Sequence, residues 1–96
     1  MPREKLSEQE IAAELAELPG WSITGGKLHR EFACKDFVDA FGKMASVALV
    51  AEKMDHHPDW SNVWNKVTVD LVTHSAGGLT ALDFALAQKI TKIFGG

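Results

Sequence analysis

The sequence predicts an α+β domain of order α-β-β-α-β-β-α, a four-stranded antiparallel sheet with three helices packed on one face. Three observations lead there. Three segments repeat apolar residues at helical spacing, each behind a residue suited to cap a helix. Two other segments alternate in polarity and contain a plausible tight turn. No linker, low-complexity tract or composition shift divides the 96 residues, so residues 1–96 read as a single domain.

The first helix is signalled by Ser7 and Glu10, an S-x-x-E capping box, with Leu6 and Ile11 as a hydrophobic staple. Ile11, Leu15 and Leu18 keep its apolar period, and Pro19-Gly20 ends it. Two short alternating runs then flank Gly25-Gly26, which reads as a β-hairpin because both glycines tolerate positive φ. Trp21 and Ile23 share one face of its first strand; Leu28, Arg30 and Phe32 share one face of its second. Asp36 caps the second helix, whose expected buried stripe is Phe37, Ala40, Phe41, Met44, Ala48 and Ala51. Val47, Leu49 and Val50 add apolar surface elsewhere on it, more than one sheet face requires and a hint of packing between subunits. Residues 60–73 alternate again. Fourteen residues is long for one strand in so small a domain, so a turn is expected at Asn65-Lys66. Gly77-Gly78 breaks the chain before the third helix, which opens with a second capping box, Thr80 and Asp83, and a second staple, Leu79 with Phe84. Leu82, Leu86, Ile90 and Ile93 mark its buried side.

Composition narrows the function. The net charge of −3 argues against strong attraction to nucleic acid or an anionic membrane surface. No apolar run approaches the roughly 20 residues of a membrane span. The opening Met1-Pro2-Arg3-Glu4-Lys5 does not read as a secretory signal. Cys34 is the lone cysteine, a small buried or half-buried apolar side chain in its simplest reading, so a reducing cytoplasmic setting is expected.

Chemistry concentrates in two places: Glu52-Lys53-Met54-Asp55-His56-His57-Pro58-Asp59-Trp60, and Thr73-His74-Ser75. Histidine exchanges protons near neutral pH, so three of them in two loops suggest an acid–base site. Glu52 lies one helical turn before His56 and is expected to orient its ring. Trp60 and Trp64 could wall a flat ligand, or lie in the core. The histidines also admit plainer readings, two at a helix C-terminus and one hydrogen-bonded in a loop. A zinc site is the sharper rival, but adjacent side chains such as His56 and His57 diverge, and no H-x-x-x-H or C-x-x-C pair is present. His29 reads as a surface strand residue.

Glu52-Lys53-x-x-His56-His57-Pro58-x-Trp60, Asn62-Val63-Trp64-Asn65-Lys66-Val67 and Thr73-His74-x-x-x-Gly78-Leu79-Thr80-x-x-Asp83 together resemble the pterin-4a-carbinolamine dehydratases. Trp64 stands where Tyr is more usual in that family, and Ser75 where some members carry Glu. The resemblance implies the same α-β-β-α-β-β-α fold, homodimers or homotetramers, and a hydro-lyase that dehydrates 4a-hydroxytetrahydropterin to quinonoid dihydropterin. It implies no metal or redox cofactor, and a functional link to an aromatic amino acid hydroxylase in tetrahydrobiopterin recycling. By carry-over, His56 and His74 are the acid–base pair and His57 orients the pterin. Glu52, Asp55, Trp60, Thr73, Ser75 and Asp83 complete the substrate site. An alternative within the family is a dimerisation cofactor for a transcription factor, which would bind through the second helix.

Overall fold

The computed structural model describes residues 3–96. Met1 and Pro2, with which the N-terminal reading begins, lie outside them. The elements are α1 (Glu8–Ala16), β1 (Ser22–Thr24), β2 (Lys27–Ala33), α2 (Phe37–Met54), β3 (Asp59–Val63), β4 (Lys66–Leu71) and α3 (Ala81–Phe94), with a single 3₁₀ turn, His74–Ala76, before α3. All strand pairs are antiparallel, and the order across the sheet is β1-β2-β4-β3. The two hairpins therefore join through β2 and β4, in the register Leu28↔Leu71 to Ala33↔Lys66.

Capping follows the expected chemistry. Ser7 and Glu10 exchange both bonds of a capping box, as do Thr80 and Asp83, and the Asp36 carboxylate accepts from the Asp39 amide. Gly25 and Gly26 take φ of 60° and 77° between β1 and β2, the conformation a two-residue hairpin loop needs. Leu28, Phe32, Val67, Val69 and Leu71 project from the sheet into a core closed by Val47 and Ala51 of α2 and by Phe84, Leu86, Ala87 and Ile90 of α3. Arg30 shares that face of β2 but lies across the Phe32 ring, and it donates to the backbone oxygens of Pro19 and Gly96. Ile23 is 41% exposed because β1 is an edge strand.

Two expectations change. The buried stripe of α2 is Ala40, Val47 and Ala51, flanked by half-buried Met44, Val50 and Met54. Phe37 and Phe41 instead pack against each other at the surface with rings tilted by 36°, 47% and 56% exposed, and Ala48 is exposed as well. Both stripes satisfy the helical period; the packing of α3 selects the narrower one, whose small Ala40 and Ala51 admit close contact. The second hairpin turns at Trp64-Asn65, one residue earlier than expected, because Val63 pairs with Lys66. Trp64 takes φ 52°, and the turn is tied by Asn62 Nδ2, which donates to the carbonyls of Trp64 and Lys66. Asn65 Nδ2 donates to the Cys34 carbonyl, and burial pushes the Cys34 thiol up, as suits an unreactive side chain. Among the described residues no helix is long and apolar enough to cross a membrane.

Candidate active site

α2 ends where its last carbonyls are capped by the chain folding back. Asp55 adopts the left-handed conformation, φ 53°, its amide donates to Glu52 O, and the His56 amide donates to Ala51 O. Pro58 then commits the chain to extended geometry. The result sends the neighbouring imidazoles to different surroundings. His56 is 6% exposed; the side chain of His57 is 59% exposed.

The second half of the site is a closed loop. Thr73 and Gly78 pair as an isolated antiparallel bridge, and Gly77, at φ 72°, donates its amide to the His74 carbonyl. That loop holds His74 and Ser75 at the surface. One cavity of about 290 Å³ joins the halves: Asp55, His56 and His57 on one side, Val72, Thr73, His74 and Ser75 on the other, and Arg3 at its margin.

Beneath the cavity runs a buried polar network. His56 Nε2 lies 2.5 Å from Asp83 Oδ1. The other carboxylate oxygen, Oδ2, accepts from Thr73 Oγ1 at 2.8 Å and from the Thr80 amide at 2.9 Å. Thr80 Oγ1 donates in turn to Thr73 Oγ1 at 2.8 Å and accepts from the Leu82 amide. Thr73 and Thr80 both donate to Oδ2; an ionised carboxylate only accepts, so opposite it His56 would carry its hydrogen on Nε2. Asp83 is 0% exposed, and no buried side-chain nitrogen or oxygen among the described residues lacks a partner. A carboxyl so deeply buried is matched by this full set of partners.

Glu52, expected beside His56, reaches His57 instead: its Oε1 is 2.8 Å from His57 Nε2. The capped, left-handed turn at Asp55 rotates His56 inward, so the residue one helical turn away no longer meets it. Asp83 takes the place expected of Glu52. Its capping role follows from the local sequence, and its second role depends on the approach of α2 to α3. Neither Trp60 nor Trp64 borders the cavity. Trp60 faces inward on β3 opposite Val69, half-buried against the core, and Trp64 is 64% exposed at the turn. Arg3 and Val72 border it without having been expected. Val72 follows from strand alternation next to Thr73, whereas no local signal marks Arg3.

Away from the cavity lining, Lys27 Nζ lies 2.8 Å from Asp59 Oδ2 and holds that carboxyl below its ordinary range, with a lesser pull from His74. His29, read as a surface strand residue, is half-buried on the helix-free face, its Nδ1 2.8 Å from Asp70 Oδ1. Among the described residues no group of three or more His, Cys, Asp or Glu side chains is arranged to hold a metal ion. The cavity can exchange protons through imidazoles on two of its sides, with one ring locked in a single tautomer by a buried carboxylate.

Comparison with known proteins adds to this geometry. The sequence profile of the family described as pterin 4 alpha carbinolamine dehydratase matches residues 4–93. A Mesorhizobium japonicum protein provisionally named pterin-4-alpha-carbinolamine dehydratase is 57% identical over the full length of both chains. One from Solibacter usitatus with the same provisional name is 53% identical, covering 96% of this chain and 97% of that protein. A crystal structure described as a transcriptional coactivator/pterin dehydratase from Brucella melitensis superposes with a TM-score of 0.92 at 47% identity, covering 96% of this chain and all of the other.

Proposed function

Because the chain belongs to the pterin 4 alpha carbinolamine dehydratase family, we propose that it is a hydro-lyase acting on 4a-hydroxytetrahydropterin in the cytoplasm, within tetrahydrobiopterin recycling. The observation that carries this reading is the convergence of His56, His57 and His74 on one cavity.

The chemistry asks little else. The C4a hydroxyl leaves as water once protonated. The N5 lone pair assists by forming the C4a–N5 double bond, and the N5 proton is then removed. One proton is given and one taken, so an acid and a base suffice. We assign these to His56 and His74. Asp83 orients His56, as the third group of a nucleophile–base–orienter array does. His57, held by Glu52, orients the ring, and Asp55, Thr73 and Ser75 line the remaining wall. Trp60 has no part in this assignment.

Stopped-flow mixing with 4a-hydroxytetrahydropterin tests it. Acceleration over the spontaneous dehydration is expected, and a rate equal to background sinks the reading. His56→Ala and His74→Ala should each lower the rate by roughly 10²-fold or more; wild-type rates in both would overturn the assignment of roles.

We also propose a homodimer or homotetramer, favoured by the outward face of α2, where Val38, Phe41 and Leu49 are 79%, 56% and 75% exposed. The coactivator role in the description of the Brucella relative would use the same face. Recovery of a stable heteromeric complex through α2 would favour that second reading, and recovery of the homo-oligomer alone would count against it.

A further inference from the structure

The N-terminal segment brings a cation to the cavity. Arg3 Nη2 donates to the Asp55 carbonyl at 2.7 Å, across 52 residues of sequence. The segment behind it is tied to the other half of the site. The Leu6 amide donates to Leu79 O at 2.8 Å, and the Lys5 stem lies so close over Gly78 that an added Cβ would come within 2.9 Å of Lys5 Cε. Arg3 is therefore held from both sides of the cavity it borders.

Its bond to Asp55 does not use up the guanidinium. The Asp55 carboxylate is 3.9 Å away with a side chain 93% exposed, a geometry that contributes little. Arginine carries five N–H donors in a planar fork. Among the described residues, Arg3 is the sole Lys or Arg bordering the cavity. The histidines and carboxylates there serve proton transfer and imidazole orientation. None is a permanent donor for an oxygen of the substrate.

We propose that Arg3 is a substrate-orienting residue, whose guanidinium donates to the carbonyl oxygen on the pyrimidinone ring of the bound pterin. The inference rests on the pterin reading above. That carbonyl is on C4, next to the reacting C4a, so a fixed donor there turns the C4a–N5 edge toward the histidines. The same side chain, through Asp55 O, steadies the left-handed turn from which His56 and His57 depart.

The test is fluorescence titration of the full chain and of Arg3→Met and Arg3→Lys with two probes, unsubstituted pterin and biopterin, alongside steady-state dehydration kinetics. Loss of a hydrogen bond from a charged donor predicts that Arg3→Met binds both probes about tenfold more weakly. KM should rise in parallel, and Arg3→Lys should recover part of the loss. Equal affinities in Arg3→Met overturn the proposal. A loss confined to biopterin overturns it too, since Arg3 would then contact the ring substituent. A fall in kcat and melting temperature with unchanged probe affinity would assign Arg3 a purely structural role and overturn it as well. A wild-type chain that binds pterin but accelerates nothing would sink the dehydratase reading and leave the Arg3 comparison intact.

Discussion

His56 and His57 are adjacent in sequence and opposite in environment. The difference lies in what each touches. His56 meets Asp83, itself fully buried and holding three donors, whereas His57 meets Glu52 where both side chains are largely exposed. An exposed pair of that kind contributes at most about 1 kcal/mol, so its use is orientation. The buried pair is another matter, because removing the carboxylate strands the Thr73 hydroxyl, the Thr80 amide and the imidazole together. Asp83→Ala should cost about 3–5 kcal/mol of unfolding free energy by urea titration. Asp83→Asn keeps the side-chain volume and one acceptor, so it should cost less stability while still depressing dehydration, because the tautomer of His56 is no longer enforced. Equal losses in both variants, or none, would refute the orienting role.

Elements carry their own consequences. α1 buries none of its residues fully, so its cap and the half-buried Ile11 and Leu15 hold it in place. Glu10 accepts from the Ser7 amide, which holds its carboxyl below the ordinary range. Asp39, which accepts from the Lys35 amide, is lowered likewise. A carboxyl lowered in the folded state contributes stability above its unfolded pKa, and that contribution disappears as pH falls through the folded value. Thermal unfolding should therefore lose stability from about pH 4 downward, and Glu10→Gln should flatten that acid limb. A slope unchanged in the variant would show that the cap carries no such linkage. The β3–β4 turn holds a different tension. Trp64 sits at φ 52°, a region costing a bulky residue roughly 1–2 kcal/mol, and its ring gains little since it is 64% exposed. Trp64→Asn should raise stability by about 1 kcal/mol in chemical denaturation. A loss instead would mean that the indole is covered in solution.

Across the whole molecule, the helices leave two surfaces uncovered. One is the outer sheet face, polar with His29, Asp70 and Asp59 in one row. The other is the outward stripe of α2, where Val38, Phe41, Ala45 and Leu49 are all exposed. A helix apolar on two faces is covered on both in a stable assembly. Analytical ultracentrifugation should find an oligomer, and Phe41→Asp combined with Leu49→Lys should shift it to a smaller species while leaving the core intact. A wild-type monomer, or a variant that sediments unchanged, would remove α2 from the interface.

Much of this was legible before any tertiary structure. Ser7, Asp36 and Thr80 announce helix starts because capping is local hydrogen bonding, and Gly25-Gly26 announces a hairpin because positive φ is a property of the residue itself. The three histidines stood out because few side chains exchange protons near neutrality. What sequence could not decide depends on contacts between distant segments. The α2 face that packs inward was ambiguous because both stripes obey the same period, and only the position of α3 breaks the tie. Helical spacing pairs Glu52 with His56, and that spacing no longer holds once Asp55 turns left-handed. Asp83 reaches His56 across 27 residues and Arg3 reaches Asp55 across 52. Local chemistry determined the elements and the kinds of groups available. The tertiary structure decided which groups meet, because buried pairing depends on the geometry of packing, which no short-range pattern encodes.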